Sequence, residues 1–313
     1  MSEPSSNHEV GGYTTRNAFR ILKRYIESEE RFAMEGTCEE LYQMISQDVP
    51  ADKQRSTSQS IQPQDRVAED VSSQDETSQS QANQGCRSKS DHILSEAILC
   101  VSLDIPYNHE AQTKLLHLAR ELSMCDILNK THGRSIMVSG NSVRGPRTYR
   151  DYDYFRYVGM PYLHQEAGRY VNGSISNEAE ATRTLNATAF QARLASAGCL
   201  NTIASMIWDM MGLEWDNSPR ESTLIKVVSV WVIYAGYFFF NKMVIDPMPV
   251  NEDNQRMFKA VRLYQGPIFG LERWNFWQEQ LLRSSQDPSV TAEARDMGLR
   301  AADLMAALSR NIR

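Results

Sequence analysis

Cysteine is scarce in this chain, and no two cysteines are spaced as a pair. The 313 residues contain five, an odd number without any C-x-x-C spacing: Cys38, Cys86, Cys100, Cys125 and Cys199. A disulfide framework is therefore not expected, whereas reduced thiols in the cytoplasm or the nucleus are.

The sequence also shows no apolar leader segment, and its charge balance does not predict a basic surface. Met1–Gly12 is polar and carries no apolar segment of the kind found in signal peptides, which again favours a cytoplasmic or nuclear location. The chain has 33 Lys and Arg against 39 Asp and Glu, a formal net charge of −6. Because phosphate binding needs a basic face, we expect no nucleic-acid partner.

The motifs of common enzymes are absent. None of the six histidines belongs to an H-x-x-x-H or E-x-x-H pair, which would put two metal ligands on one helical face. There is no G-x-S-x-G motif, and Gly140–Gly145 has neither Walker nor dinucleotide-binding spacing. Asp151 and Asp153 could bind a divalent cation, but the neighbouring Arg150 and Arg156 favour a local ion-pair cluster. We expect no metal and no cofactor, and the sequence favours a protein that is not an enzyme.

One long apolar run is present, and the chain is organised around it. Within Leu224–Val244, the residues from Val227 to Phe240 are apolar except for Ser229. Crossing a bilayer takes about 20 apolar residues, and Lys226 and Lys242 bracket a shorter run. The run is long for one strand and has no internal turn signal. It therefore predicts a central buried helix, packed on all sides, and no membrane span.

A change in composition marks residues 49–90. Ser, Gln, Asp, Glu and Asn dominate there, and the segment cannot bury enough apolar surface to fold, so we predict a disordered insert. Four serines precede a glutamine and resemble the Ser-Gln clusters that DNA-damage kinases modify: Ser58, Ser73, Ser78 and Ser80. Such dipeptides also arise by chance in a Ser/Gln-rich tract. Phosphorylation here would add charge without altering the fold.

Helical periodicity extends over most of the remaining chain, and no run of alternating strands is present. We predict a disordered tail at 1–12, a helical pair at 13–48 that docks on the main body, and an all-helical main domain at 91–313. A capping box at Asn177 and Glu180 begins a long helix that continues to about Met211. The expected fold is all-α: a single multi-helix, bundle-like domain with a central buried apolar helix.

Five segments resemble a known family. They are Ile98–Ser123, Glu180–Leu194, Val228–Phe240, Leu271–Leu281 and Ala294–Leu308, and their most specific parts are Leu-Asn-Ala at 185–187 and Arg-Trp-x-Phe-Trp at 273–277. They resemble a fungal family known as domain of unknown function 3632, over a region from about Asp91 to the C-terminus. The resemblance supports the helical fold and implies a fungal source, and it implies no activity.

The first candidate for a pocket or an interaction surface is Arg273 with Trp274 and Trp277. Arg273 and Trp277 are four residues apart on a predicted helix, so the guanidinium can stack on the indole and hold an anionic group. Alternatively, the tryptophans fill the core and Arg273 pairs with a buried carboxylate or with a helix C-terminus.

The second candidate combines Asn186 and Asn201 on the long helix with Tyr234 and Tyr237 on the apolar helix. Amides and phenols at apolar positions must be hydrogen-bonded when they are buried. Either they line a polar-tipped pocket between helices, or they bond to each other or to the ends of neighbouring helices and fix their register.

The sequence therefore favours a non-enzymatic binding or regulatory module with a protein partner or a second copy as its ligand. A second copy requires that the aromatic face at Trp274–Trp277, or the segment Tyr149–Tyr157, is exposed. The alternative is an enzyme or a small-molecule sensor with a hydrophobic interhelical pocket beside Leu224–Val244.

Overall fold

The computed structural model describes residues 9–10, 13–28, 33–46, 94–124, 177–200, 202–214, 222–247, 252–259 and 263–310. The predicted insert at 49–90, the segment Tyr149–Tyr157 and Asn201 lie outside these residues, as does most of the predicted tail at 1–12. The predictions for those segments stay predictions.

The described part of the chain is all-α, which confirms the predicted fold class. Its ten α-helices are α1 Thr15–Glu27, α2 Ala33–Ser46, α3 at 94–104, α4 Ala111–Met124, α5 Glu178–Ser196, α6 Ile203–Met211, α7 Ser222–Phe240, α8 Glu252–Lys259, α9 Leu271–Ser285 and α10 Ala292–Arg310. A 3₁₀ turn, Gly212–Glu214, follows α6, and a π-helical turn, Asn241–Ile245, follows α7. Strand structure in the described residues is limited to a hairpin that pairs Glu9–Val10 with Tyr13–Thr14.

The chain divides into two compact units. One consists of Met1–Val101 with His117–Leu163, and the other of Ser102–Leu116 with His164–Arg313. In the first unit α1 packs against α2, and the apolar positions of α1 recur at helical spacing and are buried: Ala18, Phe19, Leu22, Tyr25 and Ile26. Docking of this helical pair on the main body stays a prediction.

The second unit is built around α7, the predicted central helix. α5 and α10 make the most extensive contacts with it, and α6 and α9 also pack against it. Its largest buried side chain is Trp231, which is fully buried. The central buried apolar helix is thereby confirmed, although it is not enclosed on every side, since Tyr237 is 71% exposed.

The segment Ser222–Ile245 is long and apolar enough to cross a membrane, the one such helix in the part of the chain that the structure describes. The core helix of a soluble protein passes the same test, and 61% of its most apolar window is buried inside the protein. Length and composition are therefore weak evidence for a span.

The long helix predicted from Asn177 to about Met211 is two helices. Asn177 caps α5 as predicted, and its side chain accepts a hydrogen bond from the Glu180 amide at 3.0 Å. The helix ends at Ser196 because Gly198 takes a left-handed conformation with φ of 72°. Amides at 198 and 199 then bond back to the carbonyls at 195 and 194, the pattern of a glycine-based helix stop. The helical periodicity continues across this break, which is why the sequence reads as one helix.

Candidate functional site

Arg273, in α9, forms an ion pair inside the protein with Glu214, the last residue of the 3₁₀ turn. The two side chains are 1% and 0% exposed. The Arg273 Nε donates to Glu214 Oε1 at 2.9 Å, and Nη2 lies 2.8 Å from the same oxygen. Removing two charges from water is costly, so such a pair persists only when further hydrogen bonds satisfy both groups.

Arg273 donates its further hydrogen bonds to backbone carbonyls of two other segments. Arg273 Nη2 donates to the Phe258 carbonyl at 3.0 Å, and Nη1 donates to the Ile268 carbonyl at 3.2 Å. Phe258 is the second-last residue of α8, where carbonyls have no partner within the helix. Arg273 therefore has both of the internal partners that its sequence position suggested, a buried carboxylate and a helix C-terminus.

Trp274 and Trp277, which follow Arg273 in α9, are both fully buried. The Arg273 guanidinium carbon lies 4.9 Å from the Trp277 ring centroid, so the predicted stack exists, but inside the core. Trp277 also donates its Nε1 proton to Glu214, and Trp274 Nε1 donates to the Met305 carbonyl of α10 at 3.2 Å. Since both rings are inaccessible, they form no exposed aromatic face for a second copy.

Internal partners compensate the buried charge of Glu214 only in part, since Arg273 and Trp277 both bond to Oε1 and Oε2 accepts no hydrogen bond from the described residues. Burial raises the pKa of the Glu214 carboxyl, while the charge of Arg273 and hydrogen bonds from Arg273 and Trp277 act in the opposite direction. Burial also raises the pKa of Tyr264 to about 12, so its phenol stays neutral. Glu214 thus occupies the guanidinium that could otherwise bind an anionic ligand. The cluster joins four segments: the 3₁₀ turn, α8, the chain at Ile268 and α9.

Asn186, in α5, is 3% exposed and bonds to the end of a neighbouring helix. Its Nδ2 donates to the Leu103 carbonyl at 2.8 Å. Gln112 acts beside it, since its Nε2 donates to the carbonyls of Ser102 at 3.1 Å and Ile105 at 2.9 Å. Together they satisfy carbonyls at the C-terminal end of α3. No sequence signal distinguishes Gln112, which lies in an ordinary amphipathic helix.

Tyr234 takes part in a network at the side of α7. The Arg193 guanidinium carbon lies 3.6 Å from its ring centroid, and Arg193 Nη2 donates to the Tyr107 carbonyl at 2.8 Å. The Tyr107 hydroxyl donates to Glu293 Oε1 at 3.2 Å, and Lys226 pairs with Glu293. Partial burial lowers the pKa of Arg193, and Tyr234 acts against this shift. These residues come from four separate segments, so no spacing in the sequence could reveal them.

Tyr237, unlike Asn186 and Tyr234, lies on the surface of the protein, where it is 71% exposed. Half-buried apolar side chains of α7 lie at neighbouring helical positions, Ile233 and Phe238, and Ile245 is 55% exposed. The structure thus gives Asn186, Tyr234 and Tyr237 different surroundings instead of one pocket.

Asp209, in α6, is an ionisable residue that the sequence did not single out. Trp231 Nε1 donates to its Oδ2 at 2.6 Å. Burial raises the pKa of Asp209 to about 7, and the hydrogen bond from Trp231 offsets this only in part. No cation of the described residues contributes to the balance. In the same part of the chain, no group of three or more His, Cys, Asp or Glu side chains is placed to hold a metal ion.

Comparison with known proteins identifies a family. The family described as "Protein of unknown function (DUF3632)" matches residues 96–281. This range contains the Arg-Trp-x-Phe-Trp sequence, and it ends before Ala294–Leu308, one of the five segments that carry the resemblance. No curated protein and no solved structure matches the chain. Since the match covers more than half of the 313 residues, the chain belongs to this family of unknown function.

Proposed function

We propose that the protein is a non-catalytic binding module that presents the exposed side of α7 to a protein partner. The observation that carries the proposal is the 71% exposure of Tyr237 on the apolar helix α7, and the internal pairing of Arg273 with Glu214 speaks against the alternative. The alternative function, an enzyme or sensor, relied on Arg273 to hold an anionic ligand. Because Glu214 occupies its guanidinium, that alternative loses its most specific residue.

The exposed side of α7 has the composition of an interaction surface. Tyr237 is 71% exposed, Phe238 is the next residue of α7 and is half-buried, and Ile245, in the π-helical turn that follows α7, is 55% exposed. Aromatic side chains are enriched at the centres of protein–protein interfaces, where they bury a large area at a small cost in side-chain entropy. Tyr237 is therefore the natural centre of the proposed surface, because it is this exposed on the most apolar of the described helices.

The test compares Tyr237→Ala with Leu299→Ala. Leu299 is also exposed, at 37%, but lies on α10. Each tagged full-length chain is purified from the cells that express it, and the co-purifying proteins are quantified by mass spectrometry. We expect at least one partner to be lost with Tyr237→Ala and retained with Leu299→Ala. The same set of partners with both variants would contradict the proposal.

Two further measurements test whether the ligand is a second copy of the chain or a small molecule. Sedimentation of the purified protein, with and without Tyr237→Ala, identifies a second copy as the partner if a dimer dissociates in the variant. Native mass spectrometry of the full-length protein tests the alternative function, since a tightly retained small molecule would favour a pocket over a protein surface.

A further inference from the structure

A groove with a positively charged wall lies along the last two turns of α1. It is widely open to solvent, has a volume of about 390 Å³ and is lined by Arg20, Lys23, Arg24, Glu27 and Ser28. Three of its lining side chains are cationic and one is a carboxylate, and the carboxylate of Glu40 in α2 lies beside it, paired with Arg24.

The ion pairs at the groove are exposed and therefore weak. Lys23 Nζ lies 3.9 Å from Glu27 Oε1, with side chains 37% and 58% exposed. Arg24 pairs with Glu40 of α2, and these side chains are 68% and 43% exposed. Exposed pairs contribute little to stability, so a dianionic ligand can displace the carboxylates at small cost. A cation near the end of a helix also offsets the helix dipole, but a single one in the last turn, Arg24, is enough for that.

We propose that this groove binds a phosphoserine in an acidic peptide, and that its occupant is the segment 69–86 of the same chain. Arginine binds phosphate oxygens through paired, charge-assisted hydrogen bonds, and lysine adds a point charge. The spacing of Arg20, Lys23 and Arg24 puts all three cations on one side of the helix, where they can face a single phosphate group.

The sequence of the segment supports this choice of occupant. It carries Glu69, Asp70, Asp75 and Glu76 and contains neither Lys nor Arg. Ser78 follows the second acidic pair and precedes a glutamine. The segment therefore has four negative charges before any phosphate is added, and each phosphate adds nearly two more.

The chain is also long enough for the segment to reach the groove. Twenty-two residues separate Ser46, the last residue of α2, from Glu69. Extended, they span up to about 75 Å, several times the length of α1 at about 20 Å. Binding within one chain also benefits from a high effective concentration. This inference uses a surface of the first unit and does not depend on the proposed role of α7.

The test is a titration of the unphosphorylated full-length protein with fluorescent synthetic peptides of residues 69–86. We expect the peptide phosphorylated at Ser78 to bind at least about tenfold more tightly than the unphosphorylated peptide. Arg24→Ala should weaken this binding about tenfold, and Arg24→Lys should retain part of it. The matched control is Arg300→Ala on α10, because Arg300 is also 67% exposed and also has an exposed carboxylate partner, Asp296 at 3.7 Å. Circular dichroism of each variant verifies its folding.

A second arm tests the source of the phosphoserine. When phosphoserine is incorporated at Ser78 of the full-length chain, we expect the added phosphopeptide to bind at least about tenfold more weakly, because the groove is already occupied. Unchanged peptide affinity would overturn the proposal, as would equal binding of both peptides or equal losses with Arg24→Ala and Arg300→Ala. Tighter Arg24-dependent binding to phosphatidylserine-containing vesicles than to the phosphopeptide would also overturn it, in favour of a membrane.

Discussion

Replacing Asp209 by asparagine should stabilise the protein, and more strongly at pH 8 than at pH 5. The carboxyl is partly buried, accepts one hydrogen bond from the indole of Trp231 and gains nothing from a cation of the described residues. Asparagine has nearly the same shape and keeps an oxygen that accepts this bond. The substitution therefore removes the buried charge and leaves the contact between α6 and α7 in place.

The sign and the size of the effect follow from two pKa values. Asp209 titrates at 3.8 in the unfolded chain and at about 7 in the folded protein. Between these values the folded state keeps a proton that the unfolded state has lost, so stability falls as the pH rises from 3.8 to 7 and the loss is complete above 7. A tenfold ratio corresponds to about 1.4 kcal/mol, so the wild-type residue costs about 4 kcal/mol at pH 8 and about 2 kcal/mol at pH 5.

The assay is urea unfolding at pH 5 and pH 8, followed by tryptophan fluorescence. All five tryptophans lie within His164–Arg313, so the signal reports the unit that contains Asp209. The control is Asp296→Asn, because the Asp296 side chain is 70% exposed and its charge is already in water. A stabilisation by Asp209→Asn that is equal at both pH values, or a destabilisation at pH 8, would refute the reasoning.

Three further predictions concern the packing of the second unit and use the same unfolding assay. Arg273→Met should cost about 3–5 kcal/mol because Glu214 is left as an unpaired buried charge, and adding Glu214→Gln should cost less than the sum of the two single changes. Strict additivity would show that the two residues are not coupled. Gly298→Ala should cost about 1–3 kcal/mol, since its Cβ would lie 1.9 Å from Ser285 Oγ, and Ser285→Ala should recover part of this loss. Unchanged stability would mean that α9 and α10 are not packed this closely. Asn186→Ala should cost about 1–3 kcal/mol by leaving a buried carbonyl at the end of α3 without its donor, whereas a loss below about 0.5 kcal/mol would contradict that role.

The central helix could be predicted from the sequence, but its exposed side could not. An apolar run without turn residues indicates a buried helix, because no other soluble structure hides so many adjacent apolar side chains. Because the run is apolar on all sides, the sequence does not indicate which side of the helix is exposed. Tyr237 has no polar neighbour in the run that would mark its position as exposed. Its 71% exposure depends on how α5 and α10 pack against α7.

The partners of Arg273 illustrate a different limit. The spacing of Arg273 and Trp277 predicted their stacking, because residues four apart share a helical face whatever the remaining fold. Glu214, in contrast, precedes Arg273 by 59 residues. Its position depends on the 3₁₀ turn after α6, and nothing local identifies it as the carboxylate that enters the core. The sequence therefore predicts the kind of partner, a buried carboxylate, but not which residue supplies it.

The region that matches the family ends before the helices that pack around α7 do. The match ends at residue 281, within α9, yet α10 makes some of the most extensive contacts with the central helix α7. α10 also accepts a hydrogen bond from the buried Trp274, through the Met305 carbonyl. Without α10, a long apolar side of α7 would face water, at a cost of about 25 cal/mol for each Å² exposed. The last part of the chain is thus needed to complete the core around α7, and the end of the match marks where sequence similarity stops and not where the folded unit does.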